Sequence, residues 1–244
     1  MQPHSLRLVT FAILTFMKGK SAGRQTRKAA ARKRSSPRGR PPAEEVSARA
    51  ERLLDVATEV FLDKGFKGAS VSEIARRAGA SKQTLYARYP SKAALFAALV
   101  ERKASRLFER IGPLGEGRSL RDTLIHCGYE LLELISSDEA HGVHRVVIAE
   151  SAEFPELGQI FWDRGPGKTR AMLANYLRAQ QKLGNIQCGE PEQAVEIFMG
   201  LLLSGLTIRA SLGLPATFVK TPAEKKSWAT TGVDIFLSAM QPRP

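Results

Sequence analysis

The stretch Ser70 to Pro90, SVSEIARRAGASKQTLYARYP, leaves the chain few choices of fold. Ser70 and Glu73 have the Ser-x-x-Glu spacing of a capping box and predict a helix start. Ile74, Ala75 and Ala78 then share the inward face of a short helix over Val71 to Ala78. Gly79 supplies a turn, and Ser81 is the N-cap of a second short helix. Pro90 disfavours helical angles at Tyr89 and ends that helix. Two short helices joined by a glycine turn cannot bury a core alone, so longer helices must hold them.

The flanking sequence supplies those helices. From Glu44 onward, Leu53, Leu54, Ala57, Val60 and Phe61 form one apolar stripe at helical spacing, and Gly65 closes it. After Pro90, Ser91 caps a long helix with Leu95, Phe96, Leu99, Val100, Leu107 and Phe108 inside. Beyond Gly112-Pro113, helical periodicity continues over 119–136, 139–152, 155–184, 191–211 and 223–240, with a break or kink at the RGPGK of 164–168. No alternating strand pattern with hairpin signals appears. The fold class is all-α: a three-helix helix-turn-helix domain over 44–103, then a helical domain over 104–244.

The second short helix is unusually polar. A helix turns by 100° per residue, so Leu85 and Tyr89 share the face that looks back at the core. Gln83 and Ala87 then point away, with Thr84 beside them, and Tyr86 and Arg88 lie on opposite flanks. In a DNA major groove, Gln83 suits an adenine edge and the Ala87 methyl suits thymine. Lys82 can reach a guanine edge or a phosphate, and Thr84, Tyr86 and Arg88 reach phosphates on either wall. Ser70 sits at the mouth of the motif, and Lys92 adds a phosphate contact in the first turn of the next helix. The alternative, a solvated polar helix in an all-α enzyme, needs no capping box, glycine turn and proline stop together.

Charge placement supports the groove reading. The net charge is +13, and residues 1–43 hold 11 Lys/Arg and no Asp or Glu. Residues 44–103 hold 11 basic and 8 acidic residues, and 104–244 hold 15 and 16. A basic arm ahead of a near-neutral body implies a polyanionic partner. Low complexity over 18–43 predicts disorder for the isolated arm. Within it, Ser36 to Pro42, SPRGRPP, resembles an AT-hook core, in which Arg38 and Arg40 would lie along a narrow minor groove; a basic linker is the equal alternative. Leu6 to Met17 is apolar but shorter than the roughly 20 residues a membrane span needs. No A-x-A-like cleavage site follows it, and the favoured reading makes residues 1–16 an extension upstream of a start at Met17. Two cysteines form neither a disulfide framework nor a metal spacing, so a reducing cytoplasm is expected, with no membrane partner.

Residues 47–103 resemble the DNA-binding domain of the tetracycline-repressor (TetR) family. The resemblance rests on the ordered set Phe61, Gly65, Phe66, Ser70, Val71, Ile74, Ala75, Gly79, Ser81, Leu85, Tyr86, Lys92 and Leu95. His144 to Lys168, HRVVIAESAEFPELGQIFWDRGPGK, looks more loosely like the C-terminal domain of the family's AefR-like branch. The resemblance implies a homodimer, mostly repressors among its members, and release of DNA when a small molecule binds the C-terminal helices. It further implies dimerisation through 191–211 and 223–240, where Gly200, Ser204 and Gly205 permit close helix approach, and hence a pseudo-palindromic double-stranded operator with half-sites about one turn apart.

The C-terminal half shows no catalytic set, phosphate loop or nucleophile elbow, so an enzyme is not expected. His141 and His144 could share a metal with Glu139, but no third ligand is evident beyond ordinary histidines, and neither cofactor nor metal is expected. An effector cavity is expected among 104–180, lined by Phe108, Cys127, Tyr129, Phe161, Trp162, Met172 and Tyr176, for a mostly apolar ligand. Glu150 is either a solvent-face residue or a polar contact. The competing reading of the whole chain is a basic architectural DNA-binding protein without an effector.

Overall fold

The computed structural model describes residues 43–215 and 217–240. The basic arm, with Arg38 and Arg40, and the apolar Leu6 to Met17 segment lie outside them. The described residues form ten helices and no strand: α1 (Ala43–Gly68), α2 (Val71–Arg77), α3 (Lys82–Arg88), α4 (Lys92–Ile111), α5 (Leu120–Ile135), α6 (Asp138–Glu150), α7 (Pro155–Arg164), α8 (Pro166–Lys182), α9 (Pro191–Ser211) and α10 (Pro222–Ala239). The break or kink expected at 164–168 is a break, and the stretch 155–184 is two helices. Gly165 leaves helical angles, Pro166 starts α8 without needing an N–H, and a Cβ at Gly165 would stand 3.1 Å from Val100.

Two apolar cores organise these helices. The first joins Phe61, Ile74, Leu85, Phe96 and Leu99 of α1–α4 to Val143, Val147 and Leu157 of α6 and α7. The second joins Leu107 and Ile111 of α4 to α5, α8, α9 and α10. The division drawn at 103/104 therefore falls in the middle of α4, which runs through both cores unbroken. Buried Arg102 fastens α4 to α1 by donating to Asp55 at 2.8 Å and to the Glu51 backbone carbonyl at 3.1 Å. Helix α9 is long and apolar enough to cross a membrane, yet its Val195, Phe198, Leu202 and Leu206 are buried in the second core. Within the subunit the closest glycine approaches in this core are at Gly128 and Gly232, where a Cβ would come within 3.0 and 2.7 Å of Leu202; Gly205 lies against Phe218 at 3.3 Å, and Gly200 has open space beside it.

The capping box expected at α2 does not form. Ser70 holds the N-cap position in extended backbone, but its side chain makes no cap bond, and Glu73 instead takes Lys64 at 2.7 Å, tying α2 to α1. The Lys64 ammonium also holds the Glu73 carboxyl below its usual range. A full capping box occurs at the other end of the chain, between Thr221 and Glu224 of α10.

Two glycines are required by backbone geometry, for different reasons. Gly79 (φ 67°) closes α2: its N–H donates to Arg76 and the Ala80 N–H reaches back to Ala75, a Schellman ending with open space around the α-carbon. Gly65 (φ 71°, ψ 177°) sits in a region essentially reserved for glycine, and a Cβ there would fall 2.1 Å from a Glu150 carboxylate oxygen. Gly79→Ala should thus cost about 1–2 kcal/mol of strain alone. Gly65→Ala should cost more, because backbone strain and the Glu150 clash add, and a Glu150→Ala background should remove the clash and leave the strain. Urea unfolding of the four variants measures this; a cost of Gly65→Ala unchanged without Glu150 rules out the clash.

Candidate nucleic-acid interface and ligand cavity

Helix α3 begins where Ser81 accepts the Thr84 N–H at 3.0 Å, with the two hydroxyls 2.7 Å apart. It ends at Tyr89, whose extended backbone precedes Pro90. Within the helix only Leu85 is buried, at 0% exposure; Lys82, Gln83, Thr84, Tyr86, Ala87 and Arg88 are all exposed. The two tyrosines separate as the helical phase requires: Tyr89 is 8% exposed and Tyr86 40%. Lys82 places its ammonium 5.8 Å from the Tyr86 ring centroid, and Arg88 its guanidinium 5.7 Å from that of Tyr89. Gln83 has no hydrogen-bond partner among the described residues, so its amide is free to read an edge. Ser70 is exposed at the α2 N-terminus.

Lys92 is placed differently from the expectation. Its ammonium donates to the carbonyls of Lys67 and Ala69, at 3.1 and 3.2 Å, and lies 4.6 Å from the centre of the Phe66 ring. Burial lowers its pKa, opposed by nearby Glu150. It closes the α1–α2 turn, and two of its three donors are spent there. The same turn is held from the other side. The Glu150 carboxylate, at the end of α6, accepts the N–H groups of Phe66 at 2.9 Å and Lys67 at 2.5 Å. Lys67 pairs with Glu153 at 2.7 Å, and Phe154 meets Phe66 edge-on at 5.4 Å. Glu150 is therefore a polar contact, one that joins the C-terminal helices to the helix-turn-helix.

A cavity of about 450 Å³ lies between α4, α5, α6, α7, α8 and α9. Phe161 and Trp162 line it as expected. The other expected residues do not. Phe108 stands one residue, and so 100°, past Leu107, which does line it. Tyr129 lines a separate polar groove with Arg110 and Glu133. Met172 packs against the second core, and Tyr176 and Cys127 are buried in it, with the Cys127 thiol pushed up to about 12 by burial. The lining contains residues that the sequence reading missed: Lys103 and Leu107 of α4, His141 and His144 of α6, and Met199, Gly200 and Leu203 of α9. The available signal was α9 itself, apolar nearly all round, which leaves a face for something other than solvent. His141 and His144 share the cavity wall, but no cluster of metal-ligating groups forms among the described residues.

A tight glycine turn and a short exposed polar helix, held by longer helices, make a helix-turn-helix, and the bundle beyond it contains a cavity. The chain matches two family models. Residues 53–99 match the bacterial regulatory proteins of the tetR family, and residues 122–242 the C-terminal domain of AefR-like transcriptional repressors. It resembles the transcriptional regulator YvkB of Bacillus subtilis, 26% identical over 72% of this chain and 89% of that protein. Among solved structures, a TetR-family regulator from Mesorhizobium loti is 28% identical with a TM-score of 0.69, covering 80% of this chain and 98% of that one. The flavonoid-responsive regulator FrrA is 29% identical with a TM-score of 0.67, covering 81% and 100%. The chain belongs to the TetR family and is a DNA-binding transcriptional regulator.

The α3 geometry makes distinguishable predictions. Gln83→Ala should relax base preference at one position of each half-site by about 1–3 kcal/mol. Tyr86→Phe should weaken binding to all sequences alike. Binding-site selection with each variant checks both, and a sequence-selective loss in Tyr86→Phe would move Tyr86 onto the bases.

Proposed function

We propose that the protein is a homodimeric, ligand-responsive repressor that acts on chromosomal DNA in the bacterial cytoplasm. It would bind a pseudo-palindromic operator through paired α3 helices, with Lys82, Gln83 and Ala87 toward the bases and Thr84, Tyr86 and Arg88 toward phosphates. Ser70 would meet a phosphate at the motif's edge. Exposed Ile197, Ile208 and Leu212 on α9 and Ile235 on α10 supply an apolar face suited to a second copy. A single face on each subunit holds two half-sites about one turn apart. The naming of FrrA as flavonoid-responsive is compatible with ligand control of this fold.

One observation carries the ligand response: α6 contributes both His141 and His144 to the cavity wall and Glu150 to the α1–α2 turn. Six residues of helix, roughly 9 Å, separate His144 from Glu150. A ligand that shifts or rotates α6 moves the carboxylate that positions the helix-turn-helix. Coupling between the sites would typically be 1–3 kcal/mol, about 5- to 150-fold in DNA affinity.

Two measurements test this. With an operator obtained by selection from random DNA and an effector found by thermal-shift screening, Glu150→Ala should bind both but lose most of the ligand-induced fall in DNA affinity. Undiminished release in that variant argues that the signal bypasses α6. Ile208→Glu should shift the protein toward monomer in sedimentation and weaken operator binding; a dimer that survives it assigns another interface.

A further inference from the structure

The charges in the cavity wall are already matched. Lys103 pairs with Glu139 at 2.7 Å, and Arg170 with Glu196 at 2.7 Å. The Arg170 guanidinium also lies 4.8 Å from the centre of the Trp162 ring. An anionic ligand would have to displace Glu139 or Glu196, and a cationic one would have to displace Lys103 or Arg170. An anion so bound only replaces a partner that the cation already has, and a cationic ligand would strand the partly buried Lys103 or Arg170.

The uncommitted polarity belongs to the two histidines. His141 Nε2 is buried and has no hydrogen-bond partner among the described residues. One turn on, the His144 ring packs 6.0 Å from Phe161. Burial holds the His144 imidazole below its ordinary pKa, and His141 lowers it further, which favours the neutral ring. A neutral imidazole offers one N–H donor and one acceptor, and it complements a group that can both give and take a hydrogen bond. The remaining wall is mostly apolar, with Leu107, Phe161, Trp162, Met199 and Leu203; Thr169 and Thr207 turn their hydroxyl protons to backbone carbonyls, and Ser204 adds one more hydroxyl.

We infer that the cavity takes an uncharged, largely aromatic molecule carrying a hydroxyl group, which hydrogen-bonds the His141–His144 pair, in preference to a carboxylate, a phosphate or a cation. This rests on reading the cavity as the effector site. A phenolic hydroxyl can donate to one imidazole nitrogen and accept from another. Its aromatic body fills the apolar space between α4, α7 and α9. It requires no ion pair in the wall to open.

Three size-matched probes test the inference on the full-length protein: biphenyl-4-ol, biphenyl and biphenyl-4-carboxylate, titrated against tryptophan fluorescence. The alcohol should bind about tenfold more tightly than biphenyl, the equivalent of one hydrogen bond, and the carboxylate most weakly. His141→Phe, which keeps the ring and removes its nitrogens, should erase the advantage of the alcohol and leave biphenyl unchanged. His141→Gln, which restores a polar group at that reach, should recover part of it. Carboxylate binding as tight as the alcohol, equal losses for alcohol and biphenyl in His141→Phe, or no binding by any probe overturns the inference. Operator release is read separately. The expected selectivity without release would leave this inference standing and remove ligand control from the proposed function. Release driven only by charged compounds would do the reverse.

Discussion

The turn between α1 and α2 is the joint on which the arrangement depends. Residues 65–69 expose both N–H and C=O groups at a helix end, where they lack helical partners. Glu150 takes two of the N–H groups and Lys92 takes two of the carbonyls. The acceptor comes from the end of α6 and the donor from the start of α4, so one short turn fixes three helices relative to one another. Phe66 fills the space between, packed on Phe61, Phe96 and Phe154. Gly65 is what lets the carboxylate approach, since any Cβ would occupy its place. The α2–α3 unit hangs from this joint, and its orientation follows from it.

The joint also explains why the two halves of the chain are not independent bodies. Val143 and Val147 of α6 belong to the first core, while His141 and His144 of the same helix face the cavity. Helix α4 behaves alike, with Val100 in the first core and Leu107 in the second. Two helices therefore run from the cavity into the helix-turn-helix domain. Under the proposed function, a displacement at the cavity would travel along them, and Glu150 and Lys92 would be the end points of the two routes.

Legibility in the sequence followed the range of the interactions involved. Helix α3 was readable because its features are local: the Ser81 cap, the single anchor Leu85, the Pro90 stop and the phase that separates Tyr86 from Tyr89. Interactions across long sequence separations were not. Lys92 carries the same ammonium whether it meets a phosphate or the carbonyl of Lys67, and only the packing of α4 against α1 decides. Glu73 has capping-box spacing from Ser70, but the folding of α2 back on α1 brings Lys64 to 2.7 Å and offers an ion pair instead. The cavity was misplaced because its wall depends on helix phase: Leu107 faces it and Phe108, one residue on, does not. Its α9 wall lies beyond 180, on an all-round apolar helix whose sequence suits a dimer interface or the subunit core as well as a cavity.

The distribution of ion pairs sharpens the role of α3. Around it, cations are neutralised within the protein: Arg77 by Glu59, Lys64 by Glu73, Lys67 by Glu153 and Arg102 by Asp55. Exposed pairs of this kind add little stability. Their larger effect is on the field, because each removes a site of non-specific attraction for phosphate. Lys82 and Arg88 on α3 have no carboxylate within ion-pair range among the described residues. Free positive charge in the helix-turn-helix domain thus sits at both ends of the helix that carries Gln83 and Ala87, and at the exposed Arg52 of α1 and Arg76 of α2. Under the proposed function, a duplex drawn by that charge would meet the side chains placed to distinguish its bases.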